Sequence, residues 1–370
     1  MALANASTSA DPWVPAHLSR LVEKRALYAV DTYFRESLED LTATAALVSA
    51  DSVASADSVE RFCRDHALLL LKPDAVATRR LGQALRWVTT RGFSIVGAAT
   101  VTMNRHAIRA LWQYGLNAAT RDRRDAADLY VTASDCMLVL LALPGRPEPA
   151  TLVLSRLKGP ADPADCGPGQ LRHELGAVNY QLNLVHTADE PADLVRELGV
   201  LCDHETRTTL YRRAFTLRDA TSDAQGTADT ASAAHIMADA ASDAHIMADA
   251  ASAAHVMADA ASDAYAMAER LEAATPAADL SLDRTLEHLA GLAATVRRTD
   301  PDRRSRSREL SALITRVREG RSRDWRRLLA LAGEAGVPVT RWQRVILATY
   351  LLDPHVPGAA GLLPDASTGT

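Results

Sequence analysis

Aromatic side chains are scarce in this 370-residue chain, where Phe, Trp and Tyr together make up 5%. Cysteine is scarcer still. Cys63, Cys136, Cys166 and Cys202 lie far apart with no CxxC pair, which argues against a zinc cluster or a disulfide framework and fits a reducing cytosol. Positive charge is not in excess. The formal net charge is -5, so bulk attraction to nucleic acid is not expected, although a local basic patch stays open. No stretch reaches the ~18 consecutive apolar residues of a membrane span. The opening MALANASTSADPWVP lacks the basic region and apolar run of a signal peptide, and a cytoplasmic location is expected.

What is present is ordinary soluble composition, 48% hydrophobic and 24% charged, in a chain long enough for two domains. Five regions are read from the pattern. Residues 1–60 are a helical extension and linker, in which 14–48 carry apolar groups at three- and four-residue spacing and SADSVASADS breaks the pattern. Residues 61–211 are an α/β domain. HALLLL reads as a strand stopped by Pro73, LGQALRWVTTRG as a helix ended by Gly92, FSIVGAATVTM and DCMLVLLAL as strands, and EPATLVLSRL and PADLVRELGVL as helices.

Residues 212–278 are an alanine-rich spacer holding near-identical decapeptides, ASAAHIMADA, ASDAHIMADA and ASAAHVMADA. Ten residues turn a helix through about 1000°, leaving each repeat about 80° behind the last. His235, His245 and His255 are therefore scattered around a straight helix, each four residues before an aspartate, and do not form one metal-binding face. Residues 279–353 are an all-helical domain, and 354–370 a loose tail. Between 301 and 327 stand ten arginines against four acidic residues, which is either a patch for an acidic partner or a solvated face. Trp325 within it and Trp342 beyond it sit at helical spacings and read as core.

The chemistry is concentrated in three motifs: KPDAV after the first strand, PAD-x-x-PG-x-x-R over 163–172, and N-x-x-H over 183–186 before an acidic helix. A lone histidine near a strand end is more often structural than catalytic. Three motifs in this order, on this strand–helix rhythm, resemble the nucleoside diphosphate kinase family over roughly 66–202. The resemblance implies a ferredoxin-like α/β sandwich, with an antiparallel sheet and helices on one side. It implies a phosphate-accepting His186, a phosphate-contacting Lys72 and a phosphate-binding Arg172. Asn183 would contact the nucleotide sugar, and Glu197 would orient the histidine. Tyr114 matches a tyrosine near the histidine, with a slip of a residue or two. The family's second phosphate-binding arginine falls beside Ser155, one position from Arg156.

The implied roles are physically coherent. A neutral imidazole, with an ordinary pKa near ~6.5, can attack a terminal phosphoryl group. A carboxylate on the other ring nitrogen selects the tautomer, and cations with Mg²⁺ on the phosphates offset the transferring charge. The cofactors implied are ATP or another nucleoside triphosphate and Mg²⁺ carried on its phosphates, with no protein metal ligand. The partners implied are nucleotide substrates and copies of the same chain in a homo-oligomer. The C-terminal helices offer a surface for a protein partner.

The chain also departs from the family. Ala188 stands in place of a serine that holds the helper carboxylate, Ala161 in place of a phosphate-side threonine, and Thr187 in place of a glycine. One extra residue separates Arg172 from Asn183, and the base-stacking phenylalanine has no counterpart in LNAATRDRRDAADLY. Phosphotransfer through His186 is the leading expectation. The alternatives are a weak or inactive nucleotide-binding module serving as a scaffold, and a nucleic-acid or regulatory protein using the arginine-rich stretch.

Overall fold

Two apolar runs dominate the middle of the chain, and both become central strands of one sheet. In this computed structural model, which describes residues 14–48, 52–217, 240–296 and 300–363, β1 (His66–Leu71) pairs antiparallel with β3 (Cys136–Ala142) on one side and β4 (Val185–Thr187) on the other. β2 (Ser94–Val101) pairs with the far side of β3, giving the order β2-β3-β1-β4. This is the ferredoxin-like arrangement.

Strand alternation sorts the side chains into two cores. Leu68, Leu70, Leu138 and Leu140 enter one, while Leu69, Leu71, Val139 and Leu141 enter the other. The expectation of helices on one side therefore needs correction, because both faces are covered. The reason is legible in the runs themselves: a strand that is apolar at every position must be buried on both faces.

The crossover helices α5 (Leu81–Thr89) and α8 (Ala150–Lys158) cover the second face, along with the C-terminal half of α12 (Ala240–Ala274). Ala264 and Ala268 are buried there, their small side chains letting α12 come close to β2. The first face is covered by α6 (Arg105–Leu111), α7 (Arg121–Val131), α10 (Pro191–Leu201) and a helix over 204–217, α11. The N-terminal helices α1 (Val22–Tyr28) and α2 (Thr32–Val48) share that core through Tyr28, Phe34 and Leu41. The serine-rich break, which reads as a linker or as the cap of a short helix, opens a helix. Residues Ser52–Asp65 form α3, which runs straight into β1.

Of the decapeptide repeats, His235 and Asp239 lie outside the described residues. His255 and Asp259 form an exposed i,i+4 pair at 3.6 Å. The helices α13 (Leu282–Ala294), α14 (Pro301–Arg318), α15 (Trp325–Ala335) and α16 (Arg341–Tyr350) enclose a third core of leucines, and Trp325 is buried in it. Among the described residues, six arginines of the 301–327 stretch form ion pairs, several with carboxylates outside it, such as Arg326 with Asp122 and Asp125 of α7. The local charge surplus thus shrinks once neighbouring elements are counted.

The tail is not loose where it is described. His355 bridges to Ala119, Val356 N donates to Ala118 O at 2.9 Å, and Leu362 N donates to Tyr114 O at 2.8 Å. Among the described residues no helix is long and apolar enough to cross a membrane.

Candidate active site

Lys72 leaves β1 as the N-cap of a short helix, α4 (Pro73–Ala77), where Pro73 suits the first helical position. Its backbone N–H donates to Leu184 O at 2.9 Å, which ties the strand end to the segment before His186. Its ammonium donates to Asn183 Oδ1 at 2.5 Å and to Gln181 O at 2.9 Å, and stands 5.2 Å from the Tyr130 ring centroid. Burial lowers the Lys72 pKa to about 8, although the Asp74 carboxylate opposes the shift.

Asp74 is the fixed point beneath this loop. Its two oxygens accept from Leu184 N–H (2.7 Å) and Tyr130 O–H (3.2 Å). Leu184 sits at φ 70°, a left-handed conformation that costs a branched residue on the order of 1–3 kcal/mol. The Asp74 bond helps hold it there, so that β4 opens with Val185 and delivers His186 opposite Leu70.

His186 Nε2 lies 2.9 Å from Glu197 Oε2, and the Trp112 indole N–H points at Nδ1 from 3.4 Å. An indole N–H can only donate, and an ionised carboxylate can only accept. Both neighbours therefore select the same neutral tautomer, with the proton on Nε2 and the lone pair on Nδ1. The His186 side chain is 14% exposed and the Glu197 side chain 9%.

Glu197 is carried by α10, and the N-terminal extension holds that helix in place. Lys24 bridges Glu190 (2.7 Å) and Asp193 (2.9 Å), and Tyr28 O–H donates to Asp193 at 2.5 Å. Arg196, 1% exposed, pairs with Asp31 at 2.7 Å and donates to Ala110 O at the end of α6. Gly199 lets α10 approach α2 so closely that an added Cβ would lie 2.2 Å from Tyr33 O.

The other expected residues divide. Asn183 joins Lys72 and donates to Ala161 O and Tyr180 O. Arg172, on α9 (Leu171–Leu175), is buried, and its guanidinium braces Gly159 O (2.9 Å) and Val185 O (3.0 Å). Its Nε is a buried donor without a partner, and burial lowers its pKa. Arg156 is not brought to this group. It makes a two-pronged exposed pair with Glu148, because its position on α8 faces outward. Tyr114 is not at the histidine either. Its hydroxyl donates to Asp31 at 3.3 Å and its ring lies beside Tyr28 and Arg196, so the aromatic residue at His186 is Trp112, two positions earlier.

Sequence reading missed Asp74, although it stands inside KPDAV, and it missed Trp112, Lys158 and Asp189. Ser155 Oγ (2.7 Å) and Lys158 Nζ (3.3 Å) converge on Asp189 Oδ1. Ala188 is fully buried, and the Thr187 hydroxyl is buried without a partner. Two open clefts, of about 450 and 870 Å³, lie elsewhere, between α7 and α15–α16 and between α4 and the start of α13.

Fold and site together define an α/β protein of the ferredoxin-like class, whose histidine–carboxylate pair stands at a sheet edge near buried cations. The family model described as nucleoside diphosphate kinase matches residues 65–206. A nucleoside diphosphate kinase of Frankia alni is 30% identical over 137 residues, covering 37% of this chain and 93% of the relative. One from Salinibacter ruber is 28% identical over 137 residues, with 36% and 89% covered. A solved NDP kinase from Pyrobaculum aerophilum is 21% identical, with a TM-score of 0.34, and covers 38% of this chain and 97% of that structure. Through its central region the chain belongs to the nucleoside diphosphate kinase family.

Proposed function

We propose that this protein moves the γ-phosphate of a nucleoside triphosphate through a phosphohistidine at His186 to a nucleoside diphosphate or a related phosphorylated acceptor. The observation that carries the reading is the pair of contacts on the imidazole. Glu197 holds Nε2–H, which leaves the lone pair on Nδ1 as the nucleophile. In the first half-reaction that lone pair forms an N–P bond while the bond from phosphorus to the bridging oxygen breaks, and the diphosphate leaves with the electron pair. In the second, a terminal oxygen of the acceptor attacks phosphorus and the lone pair returns to Nδ1. The Nε2 proton stays on the ring, and Glu197 stabilises the positive charge that develops there.

Lys72 supplies positive charge to the phosphates, and Asn183 orients its ammonium. Arg172 stabilises the same region with its charge and braces the strand that carries His186. On this reading Mg²⁺ is carried on the nucleotide phosphates. When bound there, Mg²⁺ offsets phosphate charge.

The test is labelling with γ-³²P-ATP, comparing the parent with His186→Ala. The expected product is an alkali-stable, acid-labile phosphoprotein that the variant lacks. An unlabelled parent would end the catalytic reading.

A second reading, a weak or inactive nucleotide-binding module used as a scaffold, draws on two contacts. The Trp112 N–H engages the very lone pair that must attack, and Ala188 offers Glu197 no hydroxyl. Losing one transition-state hydrogen bond costs on the order of 3 kcal/mol, so transfer on this reading is slow or absent. Binding of nucleotide by a parent that never labels would favour it.

A further inference from the structure

Lys158 closes α8, and Gly159 at φ 88° turns the chain away directly after it. Its side chain is only 9% exposed. An ammonium has three protons to donate, yet the one hydrogen bond it makes among the described residues is a long one, 3.3 Å, to Asp189 Oδ1. That oxygen already accepts the Ser155 hydroxyl at 2.7 Å, and the Asp189 side chain is half-exposed at the rim. Ser155 and Lys158 are three residues apart, so they share a face of α8 and reach the same carboxylate.

Lys158 is also one of three buried cations in electrostatic contact. Lys72 and Arg172 are as deeply buried, and each bears on the charge of the others. Carboxylates lie nearby, but they make little direct contact with this group. Asp74 accepts from Leu184 N–H and Tyr130 O–H, and Glu197 meets His186, so the long pair with Asp189 is the one close carboxylate contact of the three cations among the described residues. Buried cations held by a single half-exposed carboxylate are stabilised further when an anion enters. Burial lowers the Lys158 pKa, with Asp189 opposing. For Asp189, burial is outweighed by Lys158, the Ser155 hydroxyl and His186, which hold the carboxyl well below its usual range.

We propose that Lys158 is a phosphate-contacting residue of the His186 site, tethered to Asp189 at rest and released from it to bind the polyphosphate chain of the substrate. This rests on the reading of His186 as a phosphate acceptor, and it adds a residue that the sequence motifs do not include. Asp189 then works against the incoming phosphates. It holds the ammonium in place while the site is empty and repels the anion that takes its partner.

The test uses the full chain and two probes, metal-free inorganic tripolyphosphate followed by calorimetry, and γ-labelled ATP with Mg²⁺ in single turnover. Lys158→Met is expected to weaken tripolyphosphate binding by about tenfold or more, the range for a charge-assisted hydrogen bond, and to slow labelling of His186. Lys158→Arg should recover part of both losses. Asp189→Asn, which frees the ammonium and removes the competing charge, should tighten tripolyphosphate binding. It also keeps the proposal testable if Lys158→Met does not fold.

Unchanged binding in Lys158→Met, or weaker binding in Asp189→Asn, overturns the proposal. The calorimetry does not depend on turnover. A parent that binds tripolyphosphate through Lys158 but never labels would keep this inference and end the catalytic one. A parent that labels normally with or without Lys158 would do the reverse.

Discussion

Gly199→Ala should destabilise the protein, although alanine is the better helix former. A Cβ at this position would stand 2.2 Å from Tyr33 O, 2.9 Å from Tyr33 C and 3.2 Å from Ser37 Cβ. The first two are main-chain atoms of α2, so no rotamer change relieves the clash. A tolerable carbon–oxygen contact needs about 3.3 Å, so α2 and α10 must part by about 1 Å. Overpacking of that kind costs about 1–3 kcal/mol or more. The gain in helix propensity returns at most about 1 kcal/mol. With main-chain atoms at 2.2 and 2.9 Å the cost lies at the upper end of its range, so the clash wins, and a net loss of about 2 kcal/mol lowers Tm by about 4–8 °C. Gly333, in α15, is the control. A Cβ there meets nothing within 4 Å, so Gly333→Ala should raise stability by up to about 1 kcal/mol. Thermal unfolding followed by circular dichroism reads both signs. Glu197 lies two residues before Gly199, so single-turnover labelling of His186 should slow in Gly199→Ala and not in Gly333→Ala. An unchanged or higher Tm in Gly199→Ala, with Gly333→Ala stabilised, would refute the close packing of α2 on α10.

Three other outcomes are expected. Phosphate affinity should fall as pH rises through about 8, where Lys72 loses its charge. Its pKa is lower in the folded than in the unfolded chain, so between about 8 and 10.5 the unfolded chain binds more protons and the Lys72 contribution to stability rises with pH. Lys72→Met should abolish that rise in urea titrations. Asp74→Ala leaves Leu184 N–H and Tyr130 O–H without an acceptor and should cost about 2–4 kcal/mol in urea unfolding, well above Tyr130→Phe. Removing residues 353–370 should speed amide hydrogen exchange at Thr120, whose N–H donates to Pro354 O; unchanged exchange would argue that the tail does not dock.

The strands and crossover helices were legible because their signals are local. HALLLL and CMLVLLA announce buried strands, and Pro73 and Gly92 mark where the chain turns. The His186, Asn183 and Lys72 grouping was legible through motif order. The remaining contacts had no local signal, because each joins distant stretches. The N-terminal clamp on α10 pairs Lys24 with Glu190 and Asp193, and Asp31 with Arg196, across more than 160 residues. Trp112 and Tyr114 are both plausible aromatics for the histidine, and only the pitch of the turn after α6 decides that Trp112 faces it while Tyr114 faces Asp31. Arg156 was the natural cation near Ser155, yet helix geometry gives that face to Lys158, three residues on. The tail reads as loose because its Gly- and Pro-rich sequence forms no element of its own. It is fixed by backbone bonds to residues 114–120.

The most direct test of the His186 chemistry is to identify which ring nitrogen carries phosphate. After incubation with a nucleoside triphosphate and Mg²⁺, ³¹P and ¹H–¹⁵N NMR of the denatured protein distinguish the two phosphohistidine isomers. The tautomer fixed by Glu197 and Trp112 predicts phosphate on Nδ1 of His186 and its loss on addition of a nucleoside diphosphate. Phosphate on Nε2, or label that persists in His186→Ala, would contradict the assignment.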